Sequence, residues 1–413
     1  MLVLKKYSSF FYFFNSGKAF NFSVLLTSFA IPIVAKGIQF PIALMCITWI
    51  FAPKCSLAIT WKPFLVFAGI YFFHLVGMLY TENMQRGTAD MEQKLSLILF
   101  PFLFATAQPL SAGKIRDAAI LFLLGTTTSL IVSYATASLD YLETRDILVF
   151  YSSEFSIVHH PSYLAMYMNV AMAIALFMIW DRPSKRSGVI LLWFVVIFMT
   201  VSLIFTASKA GFLNFFLLIF FMLAWSWHVN KIRSRNTVYL AFLVIIFLTA
   251  LFYNPAAHDR VLRAVSAVTI TPDARSEPSM ESSRIRLVAW EIALSEIVKN
   301  PLGVGTGDIN DTMVKSFEKA GLQSLADKNL NPHNNFLQIA LAIGIPALLW
   351  FLFSLIYPFH KIYKNQNRLY GFFLLSIFLN FMVESMLEKQ SGVIFFAFFN
   401  ALFFFSLPQN RKT

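Results

Sequence analysis

Few residues in this chain could do chemistry. One is His333, in the run Asn331-Pro332-His333-Asn334-Asn335 just ahead of a long apolar segment. Asn331 suits a helix N-cap and Pro332 the first helical position, which puts His333 in the first turn. The positive end of a helix disfavours imidazolium and attracts anions, so a histidine there suits a neutral base beside a phosphate. The bland alternative is a polar anchor at a membrane interface. Arg284 and Arg286 lie upstream, and guanidinium forks match phosphate oxygens bidentately. At i and i+2 of a helix they point to different faces, so one serves a site while the other meets lipid headgroups or acids. Lys209, in TASKAG, is a third cation, or a lysine snorkelling to headgroup level. His159 and His160 precede Pro161 and could bind a carrier, an acceptor or the interface. Arg86 lies near Glu82 and Glu92 and could bind phosphate or a headgroup. Pro301–Asp308 (PLGVGTGD) has three glycines in five residues. They permit positive φ and close backbone approach. The run is a tight turn or a phosphate cradle, although it fits neither a P-loop nor a dinucleotide fingerprint. No paired carboxylates and no His/Cys/Asp cluster stand out, which disfavours glycoside hydrolysis and metal catalysis. No metal or cofactor is expected.

The elements that must position these residues are membrane helices. The 413 residues are 58% hydrophobic and only 13% charged, against roughly 45–50% and about 25% in soluble domains. That excludes a soluble globule, and disorder with it. The two cysteines exclude a disulfide scaffold. The composition predicts an all-α integral membrane protein of about twelve spans: 19–35, 37–53, 63–80, 95–110, 118–138, 158–180, 187–207, 210–228, 237–253, 335–358, 369–384 and 391–408. The fourth is short and carries Pro101; the first two form a tight pair around Lys36. An eleven-span reading would flip half of the loops. No small-residue cleavage site follows the first apolar run, so the first span is expected to remain as an anchor.

The net charge of +12 could suggest nucleic acid. Sorting the charge by loop removes that partner. With the N-terminus inside, the cytoplasmic segments hold 18 of the 33 Lys and Arg, and the short outer loops hold six. Nineteen of the 21 acids fall outside. The asymmetry places both termini in the cytoplasm. The chain then divides into helices over 1–253, an outer loop over 254–334, and helices over 335–413. The loop is expected to contain two amphipathic helices, Ser283–Asn300 and Asp308–Ala326, which lie on the membrane or pack on the spans.

His333-Asn334, nine residues, Gly344, two residues and Ala347 (HNNFLQIALAIGIPA) together resemble the signature of the O-antigen ligase and polymerase superfamily. SRIRLVAWEIALSEIVKNPLGVGTGD resembles that family's long periplasmic loop, and HHPSYLAMYM and the SKAG turn are similar too. The resemblance covers most of the chain in layout, while its sharp motifs occupy 284–308 and 331–347. It implies a GT-C-like helical fold in the bacterial inner membrane. It also implies glycan transfer from an undecaprenyl-diphosphate carrier at the periplasmic face, without a nucleotide sugar or a metal. The acceptor would be lipid A-core in a ligase, the carrier-bound glycan in a polymerase, or Ser and Thr in a protein O-oligosaccharyltransferase. His333 would be the general base, and Arg286 or Arg284 would bind the diphosphate. Lys209, Arg86, His160, Asn334 and Glu384 would contact substrate. The family commonly has Arg where this chain has Lys209. An acid near the outer end of a late span is expected, with Glu384 the better positional match and Glu388 the second.

A different class, a transporter or flippase for a lipid-linked glycan, would keep ionisable groups deep in its spans. Here the predicted span interiors hold essentially none apart from His74. A structural scaffold would leave the pairing of His333 with Arg286 unexplained.

Overall fold

A computed structural model describes residues 16–55, 57–181, 186–228, 234–254, 257–259, 261–262 and 282–407. Eight of the cations assigned to the inner side, Lys5, Lys6, Arg182, Lys185, Lys231, Arg233, Arg411 and Lys412, lie outside the described residues. So does 263–281 of the predicted outer loop.

The described residues form an all-α multi-pass membrane protein. Every apolar segment predicted to span is a helix: α1 (Lys18–Ala30), α2 (Gln39–Phe51), α3 (Leu57–Gly77), then, after α4 (Met84–Lys94), α5 (Ser96–Thr106), α6 (Ala112–Thr144), α7 (Pro161–Asp181), α8 (Arg186–Phe205), α9 (Lys209–His228) and α10 (Ser234–Tyr253). The loop contributes α11 (Ser282–Lys299), α12 (Ile309–Lys319) and α13 (Gln323–Asp327). The chain ends with α14 (Asn335–Ile356), the short α15 (Phe359–Asn365), α16 (Arg368–Val383) and α17 (Gln390–Ser406). Six of these, α3, α6, α7, α8, α9 and α14, are long and apolar enough to cross a membrane. At about 1.5 Å per residue, the 11 residues of α5 are too few to cross a hydrocarbon layer of about 30 Å. That accounts for its weak span signal. The second amphipathic segment of the loop is broken where Gly321 adopts φ 74°, so α12 and α13 are separate.

α7 is the central post. Residues Pro161 to Phe177 are all buried, because α6, α8, α9 and α16 pack around it. Its alanines (165, 171, 173 and 175) let those helices approach closely. A helix apolar on every side is the expected sequence of such a post. Phenylalanines fill the space between the other helices. Phe122 stacks on Phe395, and Phe100 meets Phe398 edge to face. Such ring pairs add roughly 0.5–1.5 kcal/mol each beyond their buried area.

The glycine-rich run has a specific structural task. α14 is broken at Gly344, where φ is 88° and ψ 170°. Pro346 has no N–H to return to Ala342, and the Ile345 N–H turns to Pro301 O instead, at 2.9 Å. The freed carbonyls of Leu341 and Ala342 accept from Val304 N (2.8 Å) and Gly305 N (3.0 Å). The loop thus supplies the backbone partners that the broken helix lost, which buried polar groups require. Gly303 and Gly305 have φ of 90° and 116°, and a Cβ on Gly303 would lie 2.5 Å from Ala342 O. The run is therefore a turn docked into a helix break, and two amides that would form a phosphate cradle are already used.

Replacing Gly303 by Ala should destabilise the protein by more than the roughly 1–3 kcal/mol that a strained φ costs alone. Gly321→Ala, also at positive φ but with nothing within 4 Å of its Cβ, should cost about 1–2 kcal/mol. Thermal unfolding of the two purified variants in detergent distinguishes them; equal shifts would contradict the docking role.

Candidate functional site

Three helix ends meet at one carboxylate. Glu384 caps the C-terminus of α16 in an extended conformation. Its Oε1 lies 2.9 Å from His333 Nδ1 and its Oε2 accepts from Arg286 Nη2 at 3.0 Å. His333 comes from the start of α14 and Arg286 from the first turns of α11. Beside them is a cleft of about 190 Å³ whose lining includes Arg286, Lys209, His160, Ser208 and Ser162. Lys209 begins α9 and its Nζ donates to Ser283 Oγ at 2.8 Å, which ties α9 to the start of α11. His160 immediately precedes α7. The N-terminal ends of α7, α9 and α14 therefore all face this region, and their dipoles add to the positive field of Arg286 and Lys209.

The local sequence dictates how His333 is held, and not as its spacing suggested. Asn331 does not cap the helix. Its Oδ1 accepts from His333 N at 2.9 Å in an Asx turn, and His333 takes a left-handed φ of 48°. Asn334 is the N-cap: its Oδ1 accepts from Phe336 N (2.9 Å) and Leu337 N (3.2 Å). His333 thus stands one residue outside the helix. Asn334, expected to touch substrate, holds the helix start instead. Its N–H also donates to Ser385 Oγ at 3.1 Å, and Asn335 Oδ1 accepts from Leu387 N at 3.0 Å. Both bonds clamp the 384–389 loop against His333.

The other end of that loop is pinned by a residue singled out by no motif. Lys94 is 1% exposed, with its Nζ 2.9 Å from Glu388 Oε1 and 3.5 Å from Asp90 Oδ2. Burial alone would lower the pKa of this ammonium, but Glu388 and Asp90 raise it above its usual value. Glu388, the second positional match for the family's acid, is therefore a tether for the loop that carries Glu384. In the sequence Lys94 was one more cation in a short outer loop. An amphipathic α4 ending in a lysine gave no sign that this lysine would be buried.

Glu384 has balanced forces on it. Burial pushes its carboxyl up, but the hydrogen bond and charge of His333 and the charge of Arg286 overcome this and hold it below its ordinary value. Ionised, it accepts from both partners. A histidine whose Nδ1–H points at a carboxylate has its Nε2 lone pair available as a base. An arginine that spends one N–H on Glu384 keeps other donors for an anion.

Of the remaining expected site residues, Arg284 lies about 200° around α11 from Arg286 at about 100° per residue. The contact with Glu384 belongs to Arg286. Arg86 sits elsewhere. Its guanidinium is 3.7 Å from Asp311, beside Asp308, whose carboxylate accepts from Glu82 N and Asn83 N at the start of α4. This joins α4 to α12, so Arg86 belongs to a docking contact within the protein and not to the cleft.

Asp90 has its carboxyl raised from 3.8 to about 6, chiefly by burial. The folded state therefore favours its protonated form. Its stabilising contribution is full below pH 3.8 and is lost as pH rises through about 6. Asp90→Asn should flatten the dependence of Tm on pH across that window. Lys94→Met, which strands two buried carboxylates, should destabilise by about 3–5 kcal/mol. An unchanged pH slope in Asp90→Asn would contradict the burial of this cluster.

Comparison with known proteins bears on the same residues. A family model described as O-antigen ligase matches residues 194–352, a stretch that contains Lys209, Arg284, Arg286, His333 and Gly344. A protein of Rickettsia conorii named as a candidate polysaccharide ligase is 23% identical over 327 residues, 76% of this chain and 71% of its own length. A protein of Rickettsia bellii named in the same way is 24% identical over 312 residues, 74% of this chain and 69% of its own. Over residues 194–352, which include the helix break at Gly344, the chain is therefore similar to the O-antigen ligase family, and over about three quarters of its length to the two Rickettsia proteins.

Proposed function

We propose that this chain is an O-antigen ligase of the bacterial inner membrane. It passes a glycan from undecaprenyl diphosphate to lipid A-core at the periplasmic face, with both termini in the cytoplasm. The observation that carries the reading is the single carboxylate of Glu384 shared by His333 and Arg286 at the edge of a cleft lined by Arg286, Lys209 and His160. The family match over 194–352 supports it.

In this mechanism His333 Nε2 takes the proton of the acceptor hydroxyl. The acceptor oxygen attacks the anomeric carbon of the donor sugar as the bond to the diphosphate oxygen breaks. One inversion at that carbon results. The departing undecaprenyl diphosphate carries the negative charge that develops, and Arg286, Lys209 and the helix N-termini are already oriented to receive it. Glu384 keeps Nδ1 protonated and stabilises the imidazolium that forms, so it orients the base and does not touch the sugar. The cations are supplied by side chains, and turnover should persist in EDTA.

Deletion of the gene tests the reading. A ligase predicts lipid A-core without glycan, and full-length glycan left on undecaprenyl diphosphate. Single repeats on lipid A-core would identify a polymerase instead, and unchanged glycans would sink both. In the purified enzyme, His333→Ala and Arg286→Ala should each lower transfer at least about 100-fold while the protein still accumulates in the membrane. Full activity in His333→Ala would end the general-base assignment.

A further inference from the structure

The helix that delivers Arg286 has three faces. Ala289, Ala293 and Ile297, four residues apart, are buried on the side that packs against α14. Glu291, Ser295 and Lys299 form an exposed polar edge. Between these faces runs a stripe of exposed apolar side chains: Leu287 is 46% exposed, Leu294 52% and Val298 80%. A helix with only water on its outer side would not keep such a stripe beside its polar edge. A helix lying in a membrane interface would.

The stripe does not end with α11. Leu302, 71% exposed, continues it just past the helix. The backbone there is joined to two apolar helices: Tyr80 Oη donates to Leu302 O at 2.9 Å, and Ile345 N donates to Pro301 O at 2.9 Å. From that junction the exposed apolar surface runs down α14 through Ile345, Leu349, Phe353 and Ile356. On the other side it runs from Leu79, in the turn Met78–Tyr80 that follows α3, down α3 through Val76 and Leu75. These two helices are long and apolar enough to cross a membrane, so their exposed apolar faces meet acyl chains. Tyr80, half-exposed where the two surfaces join, has the ring and hydroxyl of an interfacial anchor.

We propose that α11 is half-immersed. Leu287, Leu294, Val298 and Leu302 sit in the acyl-chain edge of the bilayer, and the lipid thereby sets the depth at which Arg286 meets Glu384. The membrane becomes one wall of the site. A donor whose carrier is a lipid would meet Arg286 at the level of its own headgroup. The immersion itself follows from the surface of the chain and does not depend on which glycan is transferred.

Site-directed spin labelling of the full chain tests this. Cys46 and Cys55 are replaced by Ser, and single labels are placed through Leu294→Cys, Val298→Cys, Ser295→Cys and Lys299→Cys. The variants are reconstituted in vesicles of phosphatidylethanolamine and phosphatidylglycerol. Collision with dissolved oxygen is compared with collision with a water-soluble nickel chelate. The labels at 294 and 298 should favour oxygen over nickel several-fold, and those at 295 and 299 should show the reverse. Should Leu294→Cys fail to accumulate, Val298→Cys reads the same face. Nickel access at all four positions would overturn the proposal, as would shielding of 294 and 298 from both reagents, which would mean a protein partner on this face. The readout needs no turnover, so its failure is separable from failure of the transfer reaction.

Discussion

The site depends on one carboxylate serving two partners. Glu384 Oε1 holds His333 and Oε2 holds Arg286, so a single side chain fixes the distance between an imidazole and a guanidinium carried by two different segments. A charge 13% exposed would be costly without partners, and two charge-assisted contacts compensate it. The arrangement works only if the loop bearing Glu384 stays in place. Asn334 and Asn335 clamp one side of it, and the buried Lys94 tethers Glu388 on the other.

A second constraint sets where His333 and Arg286 stand relative to one another. α14 breaks at Gly344, and the run after α11 fills the break with its own backbone. The segment after α11 is therefore joined to the middle of α14 by main-chain hydrogen bonds, which leave little freedom in how Arg286 approaches His333. Gly303 of that run and Gly344 of the signature serve the same purpose. Both have a positive φ, and both bring backbone against backbone where a Cβ would collide.

Much of this was legible in the residues. The apolar segments, the loop helices and the gathering of His333, Arg286 and Glu384 followed from hydropathy, helical periodicity and the resemblance at His333 and Gly344. What could not be read is equally physical. Asn331 and Asn334 both suit an N-cap, and only the hydrogen bonds of Asn334 Oδ1 with Phe336 N and Leu337 N show which of them starts the helix. The glycine-rich run reads as a tight turn or a phosphate cradle because nothing local pairs it with its partner, the helix break at Gly344 and Pro346 about 40 residues downstream. Arg86 looks like any other outer cation until Asp311 is placed beside it, and burial of Lys94 is decided by the Met386–Glu388 turn and α17, far along the chain.

The central claim is that Glu384 acts through His333 and Arg286 by its charge and not by its bulk. Replacing it by Gln keeps the shape and removes the charge. The most direct measurement is the rate of glycan transfer from a polyprenyl-diphosphate donor by Glu384→Gln in vesicles, normalised to folded protein. Loss of an orienting carboxylate behind a histidine base predicts a fall of about 10²–10⁴-fold in kcat. Turnover close to that of the parent protein would contradict the account.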